Sequence, residues 1–334
     1  MADRIRIAII TATNSKTSTG SNNTVLNLLD NLDSDKYLIS IVLFNDLIPD
    51  RLAIAEDELR QDPTYVAFAE IKNHSKVSNI YSLSSLSLKE IKNMFDFAIV
   101  AIYNEFGEDG KTLGLLELVD IPYLSPKLKS SVLAFDKSFT KAILASNGLL
   151  VPKSSEINKE NQNEKLNQEI LSRHSYPLIV KPTSNGASRG TTLVKSDAEL
   201  QPAIEKAFAF SDEVILEEFI AGQEFSVGVI GPYNQPTALP VVMIKSKNEF
   251  FDYEAKYVSG KAEEICPAPI SQELEAKLQQ AAIKTYQALK AENHARIDFP
   301  GLLRSSIFPK ELTQVNISLA EFLDRSIVEK LKNK

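Results

Sequence analysis

Residues 176–190 read Tyr-Pro-Leu-Ile-Val-Lys-Pro-Thr-Ser-Asn-Gly-Ala-Ser-Arg-Gly. An apolar, partly β-branched run that ends in Lys181 and enters a loop of small residues predicts a strand feeding a turn. The backbone N–H groups of such a loop, around Gly186, Ser188 and Gly190, can wrap phosphate oxygens while Lys181 supplies positive charge. A glycine-containing hairpin with no ligand would look much the same. Downstream, Thr191 to Val194, Glu213 to Phe219 and Glu224 to Ile230 read as further strands, with a turn at Gly222 and a helical stretch from Asp197 to Phe208. This half of the chain is expected to be an α+β sheet structure.

Working back towards the N-terminus, the rhythm changes. Ile5 to Ile10 and Tyr37 to Phe44 are apolar, β-branched runs separated by a helical pattern of Val25, Leu26, Leu28, Leu29 and Leu32. That is a βαβ unit, and it predicts a parallel sheet. Phe95 to Ile102 is a third buried strand, followed by a turn at Gly107-Glu108-Asp109-Gly110 and a helix carrying Leu113, Leu115, Leu116 and Leu118. After Pro126 a helix is expected from about Ser131 to Ser146, ending at Gly148, and another within the polar stretch from Ser154 to Arg173. Helices from Ser271 to Glu292 and Leu319 to Leu331 close the chain. Pro49 to Glu70 and Ser82 to Ser87 read as surface connections.

The bulk numbers set outer limits. A length of 334 residues suits about two domains, and 43% hydrophobic content is enough to build their cores. The charge of −7, from 37 basic and 44 acidic residues, argues against a general polyanion binder, so nucleic acid is not the expected partner. A single cysteine, Cys266, excludes an internal disulfide, and the opening MADRIRIAII has too short an apolar run for a signal peptide. No stretch reaches the ~20 apolar residues that cross a bilayer. A cytoplasmic protein with no membrane partner is expected. Only 12 glycines occur, about half the usual share, so each one is informative about the backbone.

Three further segments gather chemical groups. Glu217-Glu218-Phe219-Ile220, followed by Gly222-Gln223-Glu224, offers acceptors at a strand end for an adenine amino group or a ribose hydroxyl; solvated acidic residues would also fit. Phe250 to Tyr257 crowds aromatics, carboxylates and Lys256 into eight residues, where edge-strand decoration is the bland reading. In Ala295-Arg-Ile-Asp-Phe299, alternation puts Arg296 and Asp298 on one side of a strand. A cation beside a carboxylate suits oxyanion stabilisation and metal binding, or a surface ion pair. His74, His174 and His294 have no metal spacing.

Taken in order, these segments resemble the D-alanine:D-alanine ligases of the ATP-grasp superfamily. The resemblance rests on GEDG (107–110), GLLE (114–117), IPY (121–123), Asp136-Lys137, the VKP loop (180–190), EEF-x-x-G-x-E, FFDYEAKY, CPA (266–268) and ARIDF. It implies an N-terminal parallel-sheet βαβ domain, residues 1–125, followed by a two-lobed ATP-grasp domain, residues 126–334, with a central lobe at about 126–224 and a C-terminal lobe at about 225–334. The implied reaction uses ATP to phosphorylate one D-alanine, whose acylphosphate is attacked by the amine of a second, giving the peptidoglycan dipeptide. The resemblance assigns Lys137, Lys181 and Lys256 to the ATP phosphates and the Gly186–Gly190 loop to a lid. It gives Glu217, Phe219, Ile220 and Glu224 to the nucleoside, Tyr257 to a closing loop and Arg296 to the oxyanion, with the backbone near Gly301 assisting. Ser306 would hold the second D-alanine, and Asp298 a Mg2+ ion. Family relatives also suggest a homodimer.

Four departures from the family pattern stand out. Thr11 to Gly20 contains no carboxylate where the family has a Glu that orients the first substrate. Tyr103-Asn104 replaces His-Gly, and Ala187 replaces the first Ser of the loop. After Phe299 the chain runs directly into Pro300-Gly301, whereas the family has a turn and a returning strand with two more metal ligands. The magnesium site is therefore expected to be incomplete and a sheet edge to be left unpaired. Two alternatives stay open beside an active ligase: a catalytically impaired nucleotide-binding relative acting as regulator or scaffold, and a ligase of the same family with another amino-acid substrate.

Overall fold

The apolar run Ile5–Thr11 forms β1, which lies parallel to β2 (Tyr37–Leu43), and α1 (Ser18–Asn31) makes the crossover between them. A computed structural model describes residues 4–14, 18–48, 58, 60, 67–163, 169–170, 172–186, 188–246, 262–299, 314–315 and 317–332. Beyond β2 come α2 (Phe68–Asn73), β3 (Val77–Ser82), α3 (Leu88–Met94), β4 (Phe97–Ala101), α4 (Lys111–Leu118) and β5 (Tyr123–Leu124). The strands form one parallel sheet in the order β3-β2-β1-β4-β5. Parallel strands covered on both faces need apolar residues at every position. Ile7, Ile9, Ile39, Ile41 and Phe97 are fully buried. Ala8, Ile10 and Ala98, between them in register, pack with Ile91, Phe95, Leu113 and Leu116. Strand β3 was not expected from the sequence, because VSNIYS is half polar and lies at the sheet edge.

The second unit, Lys129–Asn316, is built from two antiparallel sheets. The helix expected from 131 to 146 is instead two, α5 (Leu128–Phe135) and α6 (Lys137–Ser146), broken at Asp136, which is extended and caps α6. The stretch Ser154–Arg173 opens as strand β6 (Ser154–Asn158), while residues 169–170 are helical. With β7 (Leu178–Pro182), β8 (Thr192–Val194) and β9 (Glu213–Glu218) it forms a sheet ordered β6-β9-β7-β8, and α7 (Asp197–Phe208) covers one face. Val180, Leu216, Leu200, Ile204 and Ala207 make its core.

The other sheet is centred on β10 (Glu224–Gly231), with β11 (Thr237–Ala238), β12 (Val242–Ser246) and β13 (Ala262–Ile265) following. Helix α8 (Gln272–Ala288) precedes β14 (Asn293–Phe299), which pairs antiparallel with β10 along its whole length. Val227 and Val229 pack against Ala282 and Tyr286 of α8, with Ala295 and Ile297 beside them. Among the described residues β10 is the one strand partner of β14.

The terminal helix α9 (Leu319–Lys332) groups with the first unit, Met1–Leu128, whereas the sequence reading includes it in a domain at 126–334. Phe322, Leu323 and Ile327 are buried, and Asp324 accepts from Tyr37 Oη at 2.9 Å and pairs with Lys36. Among the described residues no helix is long and apolar enough to cross a membrane.

The turn between β4 and α4 explains GEDG. Asn104 and Phe106 adopt left-handed φ of 62° and 68°, and the Glu108 carboxylate accepts from the Asn104 N–H at 2.9 Å. A Cβ on Gly107 would lie 1.7 Å from the Ile102 carbonyl oxygen. Gly107→Ala should therefore destabilise the chain by about 2–3 kcal/mol in urea unfolding. Gly114→Ala, in a helix where the nearest atom is 4.0 Å away, should stabilise it by about 0.5–1 kcal/mol. Equal effects of the two substitutions would contradict this reading of the turn.

Candidate functional site

In β7 and β9 the alternation of side chains separates two faces. Leu178, Val180, Val214 and Leu216 face α7. Ile179 lies opposite Glu217 and Lys181 opposite Ile215, so Lys181 and Glu217 are diagonal neighbours on the other face. They form an ion pair in which Lys181 Nζ meets Glu217 Oε2. The second oxygen, Oε1, accepts from Lys141 Nζ of α6 at 2.7 Å. All three side chains are nearly buried, at 12%, 13% and 7% exposure for Lys181, Lys141 and Glu217.

The start of α6 is tied to the loop after β7. Asp136 Oδ1 accepts from the N–H groups of Ser138 and Phe139 at 2.8 and 3.0 Å, an N-cap. Its Oδ2 accepts from Ser184 Oγ at 3.1 Å, and the Lys137 N–H donates to the Thr183 carbonyl at 2.9 Å. Lys137 Nζ donates to the carbonyls of Thr183 and Asn185 at 3.2 and 2.8 Å. The structure thus brings Lys137, Lys181 and Glu217 together, and adds Lys141, which the sequence reading missed. The available signal was spacing: Lys141 is four residues after Lys137, on the same helical face.

Three cations around one carboxylate leave an excess of positive charge. Burial, then repulsion from Lys181, pushes the Lys137 ammonium down to about 7, against the pull of Asp136 and Glu217. Burial also lowers Lys141, with Glu217 opposing. For Glu217, burial acts upward, but the Lys181 and Lys141 charges and their hydrogen bonds outweigh it and hold the carboxyl below its usual range.

Hydrogen bonds link residues 183–186 and 188–190 after β7. Asn185 Oδ1 accepts from the Gly186 N–H at 2.9 Å, and the Arg189 N–H donates to the Gly186 carbonyl at 3.3 Å. Ser188 and Gly190 take left-handed φ of 49° and 76°. A Cβ on Gly190 would meet Phe210 at 2.7 Å and Pro182 at 2.9 Å. Phe219 and Ile220 follow β9, half-buried and exposed respectively, and Glu224 opens β10 in the other sheet.

On that second sheet, Arg296 and Asp298 share a face and bind each other. Arg296 donates from Nε and Nη2 to the two oxygens of Asp298, both at 2.8 Å. Ser226, opposite Asp298 on β10, donates to Oδ1 at 2.7 Å. Both side chains are nearly buried, so this is not a surface pair. Among the described residues no group of three His, Cys, Asp or Glu side chains gathers to hold a metal. Asp298, expected as a metal ligand, is hydrogen-bonded to Arg296 and Ser226. Lys256, Tyr257, Gly301 and Ser306 lie outside the described residues.

In the first unit, neutral side chains beyond the C-terminal ends of β1 and β2 bind one another. Thr13 and Asn45 exchange hydrogen bonds at 2.8 Å, and Thr24 Oγ1 meets Tyr103 Oη at 2.6 Å.

The depressed Lys137 gives a stability signature. Between pH 7 and the ordinary lysine range the unfolded chain holds more protons at this position, so stability should rise with pH across that window. From pH 6 to pH 9 the unaltered chain should gain about 2 kcal/mol relative to Lys137→Met in urea unfolding. Parallel pH profiles would show that the ammonium is not desolvated.

The family model described as the D-ala D-ala ligase C-terminus matches residues 143–318. The D-alanine–D-alanine ligase of Clostridium botulinum is 33% identical over 276 residues, covering 76% of this chain and 89% of that protein. The one from Carboxydothermus hydrogenoformans is 36% identical over 256 residues, covering 71% and 82%. Among solved structures, the VanG D-Ala:D-Ser ligase of Enterococcus faecalis superposes with a TM-score of 0.77 at 26% identity, covering 98% of this chain and 100% of that one. The D-alanine–D-alanine ligase of Bacillus anthracis complexed with ATP gives 0.70 at 25%, covering 99% and 98%. Sequence and fold agree over most of the length, and the chain belongs to the D-alanine–D-alanine ligase family.

Proposed function

We propose that the chain joins two D-alanines at the expense of ATP, making the dipeptide of peptidoglycan precursors. A carboxylate oxygen of the first D-alanine attacks the γ-phosphorus and ADP leaves. The amine of the second then attacks the acyl carbon, phosphate departs, and the amine loses a proton. The observation that carries this reading is the cluster of Lys137, Lys141 and Lys181 on Glu217, an excess of cationic charge on the sheet face opposite the apolar core.

In this reading Lys137 and Lys181 neutralise the phosphates, joined by Lys256, and the Gly186–Gly190 loop covers them. Glu217, Phe219, Ile220 and Glu224 hold the nucleoside. Arg296 stabilises the oxyanion, and its pair with Asp298 orients the guanidinium for that task, since a guanidinium has donors beyond the two this pair uses. Tyr257 closes over the substrates, the backbone near Gly301 assists, and Ser306 holds the second D-alanine. Asp298 would be a ligand to the magnesium ion that accompanies the nucleotide, and the lysines share the neutralisation of phosphate charge. The same proposal includes a central lobe at about 126–224, a C-terminal lobe from about 225, a cytoplasmic location where ATP is available, and a homodimeric state.

A second reading, nucleotide binding without turnover, is favoured by the stretch Thr11 to Gly20, which carries no carboxylate to orient a first substrate. Phosphate release from ATP separates the two. Release that requires both D-alanine and magnesium is expected of the ligase, with Lys181→Ala lowering it at least tenfold. ATP binding with no release under any amino acid would support the second reading and overturn the first.

A further inference from the structure

The sequence motifs leave Lys141 without a role, yet among the described residues it makes one of the two ion pairs to Glu217, a nearly buried carboxylate. Glu217 is 5% exposed. Its Oε1 meets Lys141 at 2.7 Å, and its Oε2 meets Lys181. The two lysines reach it from different elements, Lys181 from β7 and Lys141 from the second turn of α6. Lys181 ends its strand beside the 183–190 loop, where a polyphosphate is proposed to lie. A triphosphate carries more negative charge than one carboxylate and would draw Lys181 towards it. A buried carboxylate that lost its only cation would become costly to keep charged. Lys141 removes that difficulty, because α6 is anchored at its first turn by the Asp136 cap and the Asp136–Ser184 bond.

We propose that Lys141 positions Glu217, keeping its carboxylate paired and aimed at the nucleobase when Lys181 turns to the phosphates. Lys141 touches neither base nor phosphate; it acts through Glu217. The inference rests on the nucleotide reading given above and deepens it: Lys141 governs discrimination of the base, while Lys181 governs affinity for the phosphates. An adenine presents an amino donor to the carboxylate where guanine presents a carbonyl oxygen, so the preference for ATP over GTP reports how firmly Glu217 is held.

The test is the affinity of the purified full chain for ATP and for GTP by calorimetry. Lys141→Met should weaken ATP roughly 10- to 100-fold, the range for a lost hydrogen bond to a charged group, and reduce the ATP-over-GTP ratio. Lys181→Met should weaken both nucleotides in proportion. Lys141→Arg should restore most of the ratio, and in a Glu217→Gln background Lys141→Met should add less than about threefold. Lys141→Gln replaces the methionine variant if that one fails to fold. An unchanged ATP-over-GTP ratio in a folded Lys141 variant, or a loss undiminished in the Glu217→Gln background, overturns the inference alone. Failure of the unaltered chain to bind ATP overturns the nucleotide reading with it.

Discussion

A buried carboxylate shared by two lysines organises the central sheet. Glu217 can remain charged beneath the surface because Lys181 and Lys141 each take one oxygen, and those lysines can be desolvated because Glu217 is there. The arrangement follows from strand geometry. Register places Ile179 opposite Glu217 and Lys181 opposite Ile215, so a slip of one residue would turn the lysine into the α7 core and Val180 out of it. The apolar face of this sheet and its charged face specify one another.

The balance is unfavourable to stability on its own terms. Lys137 lies close enough to Lys181 for repulsion to lower its proton affinity, and among the described residues its ammonium donates to the backbone carbonyls of Thr183 and Asn185. Strongly shifted groups gathered on one face are a common mark of a functional site. The second sheet contrasts with this: Arg296, Asp298 and Ser226 satisfy one another closely. The charged face of the β6-β9-β7-β8 sheet is thus poised for an added anion, whereas on the second sheet Arg296 and Asp298 neutralise each other.

Much of the fold was legible because it rests on periodicity. The parallel strands β1, β2 and β4 are continuous apolar runs, and β14 was readable from the alternation that puts Arg296 and Asp298 on one side. Strand β6 was hidden because SSEIN offers a single buried residue, Ile157, and its pairing partner lies some sixty residues downstream. The break at Asp136 was hidden for another reason. Apolar spacing runs through it, and the bonds that tie Asp136 to Ser184 and Lys137 to Thr183 join segments far apart in the chain. In the site, Lys181, Lys137 and Glu217 could be singled out as charged groups at strand or helix ends, whereas Lys141 sits mid-helix and gains meaning only when β9 is folded beneath it. The terminal helix could be recognised as a helix but not assigned to its unit, since that depends on Tyr37 and Lys36, almost three hundred residues away.

The account turns on an under-neutralised cation cluster that takes up a polyanionic nucleotide. Its most direct test is a calorimetric titration of ATP into the intact chain at about pH 8, in two buffers of different ionisation enthalpy. With Lys137 near 7 beforehand, phosphate contact should restore its proton, giving saturable binding with uptake approaching one proton per nucleotide. Absence of binding, or binding whose heat is the same in both buffers, would contradict it.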